Sequence, residues 1–350
     1  MKQALVYIAF VFILVFSFCT KDKGKIPDPP VIVTEVDQYA PVIPEGWPQP
    51  AYNFSGNPVT YDGFTLGRYL FYETVLSDDT TTSCGTCHQP VFGFTNGPSH
   101  ILSHGVHDLL GKRNAPALFN LTWSPKLMWD GAVNNLENQP LAPLSNPVEL
   151  NINISKAVMR LATMQKYKDL FKKAYGDTVV NSQRILKAFA QFMGLLVSYQ
   201  SKYDKVKKGE DSFTASENNG YAVFKTNCAH CHSEPLFSDY TLRNKGLPLN
   251  AYKDSGQYLI TANPLDIYKF KVPSLRNLGF TSPYMHDGRF STIEDVLTFF
   301  TTGVANTQNL DPFMAQPHPI STQEKSDLIT FLNTLNDYKF VSDERFKEIH

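Results

Sequence analysis

The sequence predicts a mostly α-helical protein of two domains, and three observations predict it. Apolar residues recur at three- and four-residue spacing behind recognisable helix caps. No stretch sustains the period-two alternation of a half-buried strand. The pattern Cys-x-x-Cys-His occurs twice, once in each half of the 350 residues. The helix signals are strongest over residues 155–175 and 182–203. Thr214-x-x-Glu217, Ser291-x-x-Glu294 and Ser321-x-x-Glu324 read as capping boxes, each opening a periodic run. The last of these runs carries Leu328, Ile329, Phe331, Leu332 and Leu335.

Ahead of the helical body stand two segments of different character. Lys2 precedes an apolar run over residues 4–18 whose one polar member is Ser17. A spanning helix needs about 20 apolar residues, so residues 1–19 have the shape of a secretory signal. Cys19 follows at once, where a lipoprotein signal is cut, and the start Cys-Thr-Lys-Asp-Lys resembles that of bacterial lipoproteins. Phe16-Ser17-Phe18 departs from the small residue usual beside such a cut. Several acyl chains on one residue anchor stably where one does not. Residues 20–51, with seven prolines between Pro27 and Pro50, read as a semi-rigid tether. A net charge of −1 with 19% charged residues argues against nucleic-acid binding.

Cys84-Gly85-Thr86-Cys87-His88 and Cys228-Ala229-His230-Cys231-His232 use four of the five cysteines. With 5 Cys and 9 His, chance supplies about 0.002 such motifs per chain. The pattern is that of covalent c-type haem attachment: two thiols form thioethers to the porphyrin, and the adjoining histidine offers a nitrogen to iron. A structural zinc site could use two Cys-x-x-Cys pairs, and a redox dithiol one, but neither gives a reason for the histidine after each pair. Haem attachment is an export-side process, so it and the signal both place the protein in the periplasm or outer cell envelope, lipid-anchored through Cys19.

The order of further motifs carries a resemblance. Leu66-Gly67-Arg68-Tyr69-Leu70-Phe71 stands before the first attachment site. Gly111-Lys112-Arg113-Asn114-Ala115-Pro116, Trp129-Asp130-Gly131 and Asn146-Pro147-Val148-Glu149 follow it. Val272-Pro273-Ser274-Leu275-Arg276-Asn277 and Pro283-Tyr284-Met285-His286-Asp287-Gly288 follow the second. This series resembles the bacterial di-haem cytochrome c peroxidases and, with them, the MauG-type di-haem enzymes. The resemblance implies two cytochrome c-like domains, 52–204 and 205–350, each enclosing one covalently bound haem c.

It also implies roles. The N-terminal haem is the peroxidatic one, held by Cys84, Cys87 and His88. His104, sixteen residues after His88, caps its distal side in the resting state, with His100 and His107 close enough to compete. Cleaving peroxide requires a positioned acid/base and hydrogen-bond donors, and the family pattern puts Glu149 and Gln139 in those places. Trp129 matches the tryptophan between the haems. Asn114, with the carbonyls of Thr281 and Pro283, matches an inter-domain calcium site, which suits an oxygen-seeking cation. The C-terminal, electron-transfer haem is held by Cys228, Cys231 and His232. Its distal ligand departs from the pattern: Phe300 stands where relatives carry Met or Tyr, and Met285 and Met314 are the nearby thioethers.

The expected activity is reduction of hydrogen peroxide to water with electrons from a small cytochrome or copper protein. A MauG-like oxidase acting on a partner protein or organic substrate is the alternative, and a non-catalytic electron carrier a third. A homodimer is the candidate assembly.

Overall fold

The computed structural model describes residues 37–98 and 100–349. The signal segment, Cys19 and the first part of the proline-rich stretch lie outside the described residues. The helices, in order, are α1 (Tyr61–Phe71), α2 (Cys84–Cys87), α3 (Leu141–Ser145), α4 (Ile154–Thr163), α5 (Gln165–Tyr175) and α6 (Ser182–Gly194). Then come α7 (Lys202–Lys207), α8 (Ala215–Asn227), α9 (Tyr258–Thr261), α10 (Ile293–Thr298), α11 (Thr322–Asn333) and α12 (Tyr338–Val341). The strands among the described residues are two short ones, β1 (Leu242–Arg243) and β2 (Phe270–Lys271), paired antiparallel. The expectation of a mostly helical chain holds.

Two helix crossings organise the molecule. In the first half α1 packs on α6; in the second, α8 packs on α11. Each crossing is closed by a glycine. A Cβ on Gly67 would stand 2.0 Å from the Ala188 carbonyl oxygen, and one on Gly220 1.9 Å from that of Asp327. Only a residue without a side chain lets the backbones approach so closely. Around the first crossing gather Leu66, Leu70, Phe71, Ala188, Phe189 and Phe192; around the second, Phe224, Phe237, Leu328, Phe331 and Leu335.

The boxes at Thr214/Glu217 and Ser321/Glu324 form as read, with side chain and backbone bonded reciprocally. The third is shifted by one residue: the Thr292 hydroxyl caps α10, accepting from the Asp295 amide and donating to the Asp295 carboxylate, where Ser291 and Glu294 were expected. The two long periodic runs each divide. The first breaks at Met164, whose extended backbone (φ −90°, ψ 121°) lets α5 restart at a new angle. The second breaks after Gly194, where tertiary bonds claim the backbone: Asn120 brackets Leu196 and Ser198, and Asp337 accepts from the amides of Tyr199 and Gln200.

Contacts at both ends of the body reach across the expected limits of the two domains. Packing begins before residue 52: Trp47 meets Trp123 edge-on at 5.0 Å, and the Arg276 guanidinium lies 4.8 Å over its ring. At the other end Phe340, Val341 and Phe346 join the first core, not the second. Asp337 turns the chain back, and Arg68 and Tyr72 on the first half bond the carbonyls of Glu344 and Phe346.

Candidate active site

Each Cys-x-x-Cys-His segment presents its histidine in the same way. His88 donates from Nδ1 to the Phe94 carbonyl at 2.8 Å. His232 does so to the Phe237 and Pro273 carbonyls, both at 3.1 Å. A carbonyl only accepts, so Nδ1 carries the proton and Nε2 keeps a free lone pair. Burial pushes His88 down to about 4 and lowers His232 as well, so both rings are neutral near pH 7. A neutral imidazole oriented by a second bond through its other nitrogen is how a metal-ligating histidine is prepared.

Burial pushes Cys84 and Cys228 up to about 12, and Cys87 and Cys231 up to about 11, so the thiols lack the thiolate character of a reactive redox pair. The two pairs are also held apart: among the described residues no three His, Cys, Asp or Glu side chains converge as a metal site.

Cys228, Cys231 and His232 line a cavity of ≈ 240 Å³ whose walls are chiefly apolar, with Leu275, Leu297 and Phe300 among them. Met285 and Met314 reach the same cavity. So do Asn114, Ala115, Pro116 and Trp129 from the first half. The Pro116 carbonyl also acts on the His88 ring, so one short segment touches both attachment regions. Trp129 is fixed on the cavity wall: its Nε1–H donates to the Asn114 carbonyl at 2.8 Å, and its own carbonyl accepts from the Lys271 amide at 2.7 Å.

Beside the first attachment site, Glu149 is drawn to the thiols by the fold around Gly105 and Val106, whose amide donates to the Glu149 carbonyl at 2.8 Å. Burial raises the Glu149 carboxyl above the ordinary carboxylate range; a 2.6 Å bond from Asn146 and the charge of Arg113 only partly offset it. The Gln139 amide lies 3.8 Å from the Met128 sulfur. His104 points elsewhere: its ring pairs with Asp108 at 2.6 Å on the surface, and its carbonyl, not its imidazole, faces Cys87 Sγ at 3.7 Å. Asn114 is buried, donating to the Asn96 side chain and the Ile101 carbonyl, and shares the large cavity with Thr281 and Pro283.

Several contributors escaped the sequence reading. Arg113 bridges Asp130 and Asp254 at 2.5 and 2.6 Å, tying the loop that carries Trp129 to the second half. An internal repeat would have found others. Pro116-x-Leu118-x-Asn120-Leu121 and Pro273-x-Leu275-x-Asn277-Leu278 stand twelve residues before Met128-x-Asp130-Gly131 and Met285-x-Asp287-Gly288 respectively. The paired members share left-handed backbone: φ +57° and +61° at Asn120 and Asn277, +66° and +74° at Met128 and Met285.

Two glycine-closed helix crossings and two matching histidine–thiol sites define a class: a c-type cytochrome protein made for two haems. Comparison with known proteins narrows it. Residues 61–212 match the family model described as di-haem cytochrome c peroxidase. The methylamine utilization protein MauG of Methylorubrum extorquens is 33% identical over 83% of this chain and 82% of its own length. The cytochrome c551 peroxidase of Nitrosomonas europaea is 31% identical over 79% and 81%. A crystal structure of a MauG-like protein associated with microbial copper homeostasis superposes with a TM-score of 0.79 at 30% identity, covering 87% of this chain and 98% of that one. The chain belongs to the di-haem cytochrome c peroxidase family, which includes MauG, and is an oxidoreductase.

Proposed function

We propose that this protein reduces hydrogen peroxide to water at an N-terminal haem, using electrons that a small cytochrome or copper protein delivers to a C-terminal haem. The observation that carries the reading is Glu149, a carboxyl with raised proton affinity beside Cys84 and Cys87. Cys84, Cys87 and His88 would hold the first haem, and Cys228, Cys231 and His232 the second, in cytochrome c-like domains of about 52–204 and 205–350. When bound, the haems would relay the donor's two electrons and supply the iron at which one peroxide, with two protons from solvent, becomes two waters. The chain supplies the rest. Glu149 takes a proton from one peroxide oxygen and returns it to the other, Asn146 holds the carboxyl in place, and Gln139 donates to the developing charge. His104, released from Asp108, would cap the resting site. Trp129 and the 114–116 segment join the two sites. Met285, on the cavity wall, would hold the second haem's iron through its thioether; Met285→Leu abolishing the thioether charge-transfer band supports it, and an unchanged band removes it.

The test is peroxide-dependent oxidation of a reduced small cytochrome by purified protein. Two covalent haems per chain by pyridine haemochrome, and turnover lost on replacing either Cys84 or Cys228 with one haem remaining, are the expected results. One haem in the wild type, or no turnover with it, defeats the proposal.

We further propose that Cys19 is acylated, that the protein is anchored facing the periplasm, and that Asn114 with the Thr281 and Pro283 carbonyls holds one calcium ion. Mass spectrometry of the mature N-terminus and calcium analysis of dialysed protein are expected to find a lipidated Cys19 and one equivalent of calcium. An unmodified N-terminus, or calcium-free protein of full activity, removes the corresponding assignment. A homodimer is the proposed assembly, and a monomer mass in solution excludes it.

A further inference from the structure

The wall of the large cavity carries two lysines that no hydrogen bond or ion pair accounts for. Lys245 follows β1 and Lys271 ends β2, so one short ribbon brings both to the cavity. Their ammonium groups lie over aromatic rings: Lys245 Nζ is 5.6 Å from the Phe270 centroid and Lys271 Nζ 5.6 Å from that of Tyr240. The other strong cations on the wall are committed. Arg243 pairs with Asp239 at 2.7 Å and Asp311 at 2.9 Å, and Arg276 pairs with Asp204 at 2.7 Å. The carboxylate nearest in influence to Lys245, Asp287, is already held by Arg289 and Asn250. Among the described residues no aspartate or glutamate lines the cavity.

Both side chains are half-buried, and an ammonium drawn partly out of water without an acceptor is unfavourable, because solvation is lost and nothing replaces it. Burial accordingly pushes both lysines down to about 8. An occupant bearing two carboxylates resolves the imbalance one for one. We propose that Lys245 and Lys271 bind the two propionate carboxylates of the haem attached at Cys228 and Cys231. The assignment rests on the reading of this cavity as a haem site. It gives the two lysines a second consequence: positive charge at the porphyrin edge favours the reduced haem, so the pair raises the potential of the site that receives electrons.

The test uses the full, haem-loaded protein. Lys245→Met and Lys271→Met should each lower the midpoint potential of the C-terminal haem, leave that of the N-terminal haem in place, and shift the propionate-bending band in resonance Raman. The double variant should shift further, and Lys→Arg at either position should restore the potential. If a Met variant fails to retain its haem, the Arg variants decide: a displaced propionate band with haem retained supports the assignment, and a wild-type band overturns it. A loaded site whose potential and band ignore both lysines overturns the assignment alone. A wild-type chain with no haem on Cys228 and Cys231 overturns the haem reading and the assignment together.

Discussion

Glu149→Gln is expected to keep both haems, their spectra and their potentials while slowing peroxide turnover at least a hundredfold. General acid–base catalysis contributes about 10²–10⁴, and glutamine cannot carry a proton between the two oxygens. The amide is nearly isosteric and keeps an acceptor for the 2.6 Å bond from Asn146, so the loss is chemical and not structural. The pH dependence has a defined sign. Burial raises the Glu149 pKa, and the base form must be present to take the first proton. The acid limb of kcat/KM should therefore lie above the ordinary carboxylate range and vanish in the variant. Gln139→Ala should cost less, since it removes a donor and not the proton carrier. Trp129→Phe should slow transfer between the haems and leave the first reaction of peroxide intact. Stopped-flow mixing of half-reduced protein with peroxide separates these, and a Glu149→Gln variant reacting at the wild-type rate eliminates the assignment.

The largest effect on stability is expected at Asp204. Arg276 is wholly buried and grips Asp204 with bonds of 2.7 and 2.8 Å, while also donating to the Pro235 carbonyl. Asp204→Asn leaves that guanidinium buried without its counter-charge, which costs about 3–5 kcal/mol. Replacing both partners by apolar residues of similar volume should cost less than either single change. Burial by itself would raise the Asp204 pKa, but the Arg276 bonds and charge outweigh it and the net shift is downward. A depressed carboxylate pKa contributes stability above the unfolded value of about 3.9, lost as pH falls through the lower folded value. The pair should thus hold at pH 5–8 and fail only in strong acid. Denaturant midpoints of the haem-loaded protein measure this, and a single-variant loss under about 1 kcal/mol contradicts it.

The features that local sequence determined are those written within a few residues. Cys-x-x-Cys-His fixes two thiols and an imidazole on one turn, so the attachment sites at 84–88 and 228–232 were legible without a fold. The caps at Thr214 and Ser321 were legible because a capping box spans four positions. Helical spacing showed which runs are helical but not where they end: the backbone turns extended at Met164, and Leu195–Gln200 are redirected by bonds to distant segments. Glu149, Gln139 and Trp129 entered only through the family's motif order. Their surroundings, such as the desolvation of Glu149 and the clamp on Trp129 by Asn114 and Lys271, are properties of packing. Nothing in the local sequence marks Lys245 and Lys271 as cavity residues, and the return of Phe340 and Phe346 to the first core carries no signal at all. The physical reason is common to these cases. Covalent and capping chemistry acts over one turn of chain, whereas dielectric environment, charge balance and domain closure depend on atoms brought together across tens to hundreds of residues.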